Sequence, residues 1–175
     1  SSELLQKIAK EKAKLIKEKK IKKEKPLPEI TEDEIPFDVP DNWVWCRLQD
    51  LFYVHSALRI HKSDWKTSGI PFFRGRELVQ LIKFGKVDPD VFITEDFYEE
   101  LKDKGGVPQV GDLLISAVGT IGKSYVVKGT NKFYYKDAYI LCLDNFGKLY
   151  SDWFKLLFDS PKIQEYIHRG AMATT

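Results

Sequence analysis

Residues 112–127 read "DLLISAVGTIGKSYVV", and two folds compete for them. The stretch Ala117 to Ser124 departs from the phosphate-loop pattern G-x-x-x-x-G-K-[ST] only at its first position, where Ala117 stands. The later run Tyr139-Ile140-Leu141-Cys142-Leu143-Asp144 looks like the apolar strand with a terminal metal-binding Asp that accompanies such loops. A phosphate loop, however, must lead into a helix whose N-terminus faces the phosphates. Here the loop leads into Ser124-Tyr125-Val126-Val127-Lys128, β-branched and aromatic, and then into the turn Gly129-Thr130-Asn131. The strand-like runs 112–117 and 124–128 are separated by residues 118–123 alone, and a parallel crossover needs roughly a dozen residues or more. The stretch is therefore expected to be an antiparallel hairpin whose turn is Gly119-Thr120-Ile121-Gly122.

Working outward, further strand-like runs fall at 51–55, 70–74, 132–135 and 138–143, and Trp43 to Leu48 alternates so that every second residue could face a core. Helices intervene. Thr94 is a good N-cap, Glu95 and Asp96 suit a first turn, Lys102 and Lys104 a last turn, and Gly105 a stop. Ser151 is placed to cap a helix through Phe158, and Pro161 to start another that runs to about Arg169. Strands outnumber helices without alternating with them. The expected class is α+β: a mixed, mostly antiparallel twisted sheet with flanking helices, preceded by a long N-terminal helix.

That first helix is expected over residues 3–23, which hold good helix formers and no Gly or Pro. Leu4, Leu5, Ile8, Leu15 and Ile16 form its apolar stripe, interrupted by Lys12. Such a helix is not stable alone in water, so it is expected to pack on a helix outside this chain. Pro26, Pro28, Pro36 and Pro40, with four acids between Pro28 and Pro36, mark residues 25–41 as an extended acidic linker.

Of the 175 residues, 43% are hydrophobic and 31% charged, which suits one globular domain with an appendage. The net charge of +2 conceals a partition. Residues 1–25 carry +6, residues 26–34 carry −4, and the remainder is neutral. Within that neutral part the charge is sorted. Arg59, Lys62, Lys66, Arg74 and Arg76 stand in 55–76 against Asp64 alone, and Lys123, Lys128, Lys132 and Lys136 in 119–136 against no acid. Residues 88–103 hold seven acids and one lysine. A basic face on a neutral domain can hold a polyanion. Cys46 and Cys142 lie far apart in apolar runs, and His55, His61 and His168 are scattered, so no metal site is expected. Pro89-Asp90 with Glu100-Leu101-Lys102 imitates a nuclease metal motif, but Glu100 falls in the capped helix. No signal peptide or membrane span is present in these residues, and no catalytic equipment is expected.

Several segments taken together resemble a known family. The lysine-rich helix runs into "KIKKEKPLPEITEDEIPFDVPDNWVWCRLQDLF", followed by "GIPFFRGREL", "FITEDFYEELK", "VGDLLISAVGTIGK" and "SPKIQEYIHRGAMATT". This succession is similar to the specificity (S) subunit of type I DNA restriction–modification systems. The resemblance implies a non-catalytic cytoplasmic subunit whose target-recognition domains each read one half of a split double-stranded DNA target. It implies methyltransferase (M) and restriction (R) subunits as partners, and places S-adenosylmethionine, ATP and Mg²⁺ on those partners, with no cofactor in this chain. Residues 1–24 would be part of a conserved spacer helix, 25–41 the linker, 42–170 a target-recognition domain, and 171–175 the start of the next conserved region. Leu4, Leu5, Ile8, Leu15 and Ile16 would face a partner helix. Where many members carry a glycine-containing loop this chain reads "HSALRIHK".

In that frame Arg59, Arg74 and Arg76 are candidates for base edges, because a guanidinium can bond guanine O6 and N7 together. Lys62, Lys123, Lys132 and Lys136 are candidates for phosphates, and Ser116 and Thr120 are expected near the DNA at the hairpin turn. Of Tyr134 and Tyr135, on alternate faces, one at most is expected to touch DNA. The competing reading is a helix-mediated protein-interaction scaffold that binds no nucleic acid.

Overall fold

A computed structural model of the chain describes residues 2–35, 37–129, 131–136 and 138–172. They form two compact units, Ser1–Tyr53 with Asn145–Leu149, and Val54–Asp144 with Tyr150–Thr175. The last three residues of the chain lie outside the described residues, and with them most of the expected next region.

In the first unit the N-terminal helix α1 (Ser2–Lys17) is shorter than its composition suggests. Lys19 takes a left-handed conformation (φ 58°). Lys20 N–H donates to the Leu15 carbonyl at 2.9 Å and Lys19 N–H to Ile16 at 3.0 Å, a helix-ending turn of the Schellman type. Continuing the helix would crowd the like charges of Lys19, Lys20, Lys22 and Lys23 onto successive turns.

The apolar stripe finds partners within this unit. Ile8 is only 2% exposed and packs against Gly147, while Leu5, Leu15 and Ile16 are half-buried and Leu4 is exposed. Lys12, the apparent flaw in the stripe, is also enclosed. Its ammonium donates to Glu24 Oε2 at 2.5 Å, to the Gln49 carbonyl at 2.5 Å and to the Phe52 carbonyl at 3.0 Å. The last two lie at the end of the short helix α2 (Leu48–Leu51), where a cation is favoured. The break in the stripe therefore requires no absent helix, and Ile8 is not available to a partner.

Among the described residues of 25–41 there is one 3₁₀ turn, Glu32–Glu34, and Lys25, Pro28, Glu29 and Glu34 are tied down. The Arg47 guanidinium grips both Glu34 oxygens at 2.6 and 2.8 Å and reaches the carbonyls of Pro28 and Glu29. Gln49 Nε2 donates to the Lys25 carbonyl. The expected strand at Trp43–Leu48 does not form. Asp50 accepts the Arg47 N–H at 2.8 Å and so starts α2 at Leu48, leaving Trp43 and Val44 exposed.

The second unit contains two sheets. The first has the order β1 (Tyr53–Ser56), β7 (Ile140–Asp144), β4 (Leu113–Ser116), β5 (Ser124–Val126). Strand β4 is buried along its whole length and runs antiparallel to both neighbours. The second has the order β3 (Phe92–Ile93), β2 (Ile70–Phe73), β6 (Tyr134–Tyr135), with β2 antiparallel to β3 and parallel to β6. The mixed, mostly antiparallel α+β expectation holds, with the strands divided between two sheets. Helices α3 (Gly75–Phe84), α4 (Glu95–Asp103), α5 (Ser151–Asp159) and α6 (Pro161–Met172) complete the unit.

Aromatic packing joins β2 to β6. Phe72 stacks with Tyr134 and Phe73 with Phe133, at ring-centroid distances of 6.4 and 4.9 Å. Tyr134 and Tyr135 are both fully buried, and the Tyr134 hydroxyl donates to the Leu58 carbonyl at 3.0 Å. Neither tyrosine is left for DNA. Thr94 caps α4 as expected, its Oγ1 accepting from Phe97 N–H at 3.2 Å. Ser151 does not cap α5. It is the first helical residue after Tyr150, and its hydroxyl donates to the Gly111 carbonyl instead.

The stretch 112–127 is a hairpin, with Leu113 opposite Val126, Leu114 opposite Tyr125 and Ile115 opposite Ser124. No helix follows its turn, and the nucleotide-site reading ends there. Gly119 (φ 78°) and Gly122 (φ 81°) hold conformations that side chains disfavour. Around Gly119 the space is open, but a Cβ on Gly122 would lie 3.0 Å from Gln164 Nε2 and 3.3 Å from Ile167 Cγ2 of α6. Gly119→Ala is expected to cost about 1 kcal/mol in urea denaturation, from backbone strain alone. Gly122→Ala is expected to cost about 1 kcal/mol more than that, because α6 must also shift.

Candidate nucleic-acid interface

One of the three arginines expected at base edges, Arg74, is already occupied. Arg74 is the N-cap residue of α3, and Glu77, one turn on, has its side chain 1% exposed. A carboxylate so enclosed needs cations and hydrogen bonds. Arg74 supplies its backbone N–H at 3.0 Å, Nε at 3.1 Å and a terminal nitrogen at 2.8 Å. Arg76 adds Nε at 2.9 Å. Asp90 closes the cluster from outside, 2.5 Å from Arg74 and 3.2 Å from Arg76. Burial pushes the Glu77 carboxyl up, but the arginines and backbone overcome it and lower its pKa to about 2. Arg74 is thus a structural residue rather than a reader of base edges. Arg76, with a side chain 62% exposed, remains accessible.

Between α3 and the hairpin turn lies a cleft of about 700 Å³. Arg74, Arg76 and Lys83 line it from the helix side, Thr120 and Gly119 from the turn, and Lys136 and Tyr139 from the segment after β6. The Lys136 backbone N–H extends the β2–β6 ladder to the Phe73 carbonyl at 2.8 Å. Its ammonium sits 4.1 Å from the centre of the Tyr139 ring, a cation–π contact that orders the side chain without neutralising it. Among the described residues that line the cleft none is acidic. Four of the nine expected DNA residues therefore meet here: Arg74, Arg76, Thr120 and Lys136. Lys83 joins them, although sequence reasoning passed it over because helix α3 itself was not anticipated.

The remaining candidates are placed elsewhere. Ser116 is 1% exposed. Its hydroxyl bonds the carbonyls of Thr120 and Lys123 and accepts Lys123 N–H at 3.0 Å. It closes the base of the turn and is withdrawn from any ligand. Lys132 pairs with Glu95 and Glu99 of α4 and lies over the Tyr98 ring; those hydrogen bonds raise its pKa. That lysine stitches the basic and acidic stretches together instead of belonging to an open basic face. Lys128 likewise pairs with Asp152 at 2.9 Å. Lys123, Arg59 and Lys62 are exposed but do not line the cleft.

The Glu77 cluster makes a pH prediction. Its lowered pKa gives stability that is fully present above the unfolded value, about 4.3, and is lost as pH falls through about 2. Glu77→Gln should narrow the stability gap to the parent progressively between those values, as followed by acid-dependent urea denaturation. Arg74→Ala should cost about 3 kcal/mol at pH 7, the low end for breaking a buried ion pair, since Arg76 stays.

No family model matches the chain. Among curated proteins, the type I restriction enzyme EcoAI specificity subunit of Escherichia coli is 52% identical over 68 residues, 39% of this chain and 11% of that protein. The EcoEI specificity subunit of Escherichia coli is 37% identical over 93 residues, 50% of this chain and 16% of that protein. A putative type I specificity subunit of Haemophilus influenzae, S.HindORF215P, is 38% identical over 99 residues, 56% of this chain and 24% of that protein. The chain thus matches no more than about a quarter of the length of these relatives. Among solved structures, the HsdS subunit of Thermoanaerobacter tengcongensis has a TM-score of 0.48 at 22% identity, covering 70% of this chain and 28% of that one. A chain from a study of assembly and conformational transition in the type I restriction–modification system has a TM-score of 0.48 at 18% identity, covering 95% of this chain and 37% of that one. The resemblance read from the residues holds: the relatives of this chain are type I restriction enzyme specificity subunits, and it is homologous to a segment of them.

Proposed function

We propose that the second unit binds double-stranded DNA sequence-specifically and reads one half of a bipartite target for a type I restriction–modification complex. The observation that carries this reading is the cleft, where Arg76, Lys83 and Lys136 converge and no acid is among the described lining residues, in a part of the chain that is neutral overall. Lys83 and Lys136 would hold phosphates, which fixes register without conveying sequence. Arg76 is the candidate for a guanine edge, and Thr120 would approach the same groove from the turn. Arg59, Lys62 and Lys123 would add peripheral phosphate contacts.

In this reading the chain is not an enzyme. Adenine methylation and cleavage belong to the M and R subunits, which carry S-adenosylmethionine, ATP and Mg²⁺, and the complex acts in the cytoplasm. Leu4, Leu5, Leu15 and Ile16 of α1, exposed or half-buried, would dock on an M subunit or a second spacer helix. Among the described residues no helix is long and apolar enough to cross a membrane.

Arg76→Ala should lose roughly 1–3 kcal/mol of discrimination at one base pair, seen in competition binding against single-substituted targets. Lys136→Ala should weaken all sequences alike and lower the salt slope by about 1. Lys132→Ala should leave affinity unchanged, because its charge is spent on Glu95 and Glu99. Salt-insensitive or absent DNA binding by the chain would instead favour the protein-interaction scaffold. Exchanging residues 42–170 for those of a relative should change one half of the genomic methylation motif. A motif unchanged in both halves would overturn the proposal.

A further inference from the structure

The strand order places side chains together that lie far apart in sequence. His55 on β1 comes beside Cys142 and Asp144 on β7, the neighbouring strand. One ligand atom from each lies within 4.8 Å of the others. His55 Nε2 is 2.8 Å from Asp144 Oδ1, and Cys142 Sγ is 3.3 Å from the same oxygen. Cys142 is completely buried, and the His55 and Asp144 side chains are 15% and 20% exposed. The cluster is thus sheltered but reachable through its histidine and carboxylate. Spacing along the chain offers Cys142 no metal-ligating neighbours; the fold brings His55 and Asp144 beside it.

We infer that His55, Cys142 and Asp144 form a binding site for a thiophilic divalent cation such as Zn²⁺, with the imidazole nitrogen, the thiolate and one carboxylate oxygen as ligands. The donor set is the imidazole, thiolate and carboxylate mixture that tetrahedral zinc accepts. Bond lengths of about 2.0–2.3 Å to such an ion put ligand atoms roughly 3.3–3.5 Å apart. The His55–Asp144 and Cys142–Asp144 separations of 2.8 and 3.3 Å reach that range with shifts of about half an ångström or less.

A second observation points to the same place. The Tyr135 side chain is fully buried, and its hydroxyl makes no hydrogen bond of good geometry among the described residues. It nevertheless lies close enough to Cys142 to influence the thiol. A buried hydroxyl in that state is unusual, and beside the Cys142 thiol it could bond a water completing the coordination shell. The local charge suits a cation. Asp144 and Asp112 place negative charge beside the Cys142 thiol. On binding, the thiol proton passes to solvent and the sulfur–metal bond forms, so affinity rises with pH. The ion would fasten edge strand β1 to β7. This site is independent of the DNA reading and lies among different residues from the cleft.

The experiment uses the full chain with Cys46→Ser, so that Cys142 is the remaining thiol, and titrates it with Co²⁺ as a spectroscopic substitute for Zn²⁺. One ion per chain is expected, with a sulfur-to-cobalt charge-transfer band in the near ultraviolet and the visible bands of a tetrahedral ion. Zn²⁺ should displace it and raise the melting temperature. Cys142→Ala should abolish the band. His55→Gln and Asp144→Asn, at partly exposed positions, should each weaken affinity at least about tenfold, and they carry the test where Cys142→Ala fails to fold. The inference is overturned by no charge-transfer band in the Cys46→Ser chain, by a band that persists in folded Cys142→Ala, or by unchanged affinity in either His55→Gln or Asp144→Asn.

Discussion

A carboxylate removed from water must be matched by cations, and the pairing of Glu77 sets the geometry on which the cleft depends. Arg74 meets Glu77 with backbone and side chain at once, so the residue that follows β2 also fixes the start of α3. Arg76 is drawn to the same carboxylate while its side chain stays largely in solvent. Lys83, two turns on, is carried by the same helix. The opposite wall is held by the β2–β6 ladder and its aromatic stacks. The basic groups of the cleft therefore project from packed elements, which fix their points of attachment before any ligand binds.

The charge map along the chain and the charge map of the folded surface differ in an instructive way. In sequence, the stretch 88–103 is acidic and 119–136 is basic. Folding brings Lys132 onto Glu95 and Glu99, and the arginines of 74 and 76 onto Asp90. Much of the sorted charge is consumed internally. What survives as an available positive field is a smaller set, and part of it, Lys83, was not in the linear count. Exposed pairs of this kind add little stability; their consequence here is to decide which cations are free.

The elements that could be read from the sequence are those whose signals are local. The 112–127 hairpin follows from strand spacing and glycine placement, and α4 from Thr94 and Gly105. Helix α3 carried comparable signals, with Glu77 three residues after Arg74, Leu78 and Leu81 on one face, and Gly85 as a left-handed stop. Its neighbours Pro71-Phe72-Phe73 drew attention to the strand instead. The misread segment Trp43–Leu48 alternates as a strand does, but alternation specifies only which way side chains point. A strand also needs an edge to pair with. The burial of Ser116 and of both tyrosines, and the meeting of His55 with Cys142, depend on pairing between distant strands, which no window of sequence contains. The site was legible to the extent that residue type governs it, and illegible where partners decide whether a charge is spent.

The Ser116 hydroxyl, bonded to backbone groups on both sides of the turn, seals residues 117–123 at their base. Strands β4 and β5 are thereby held in register by something other than the turn they support. The exposed side chains of such a turn, at 118–120, can change without unzipping the sheet beneath, whereas Gly122, against α6, cannot. A molecule built this way can acquire a new ligand preference through its turn while the cost to folding stays small, because the clasp and the contact surface are different atoms.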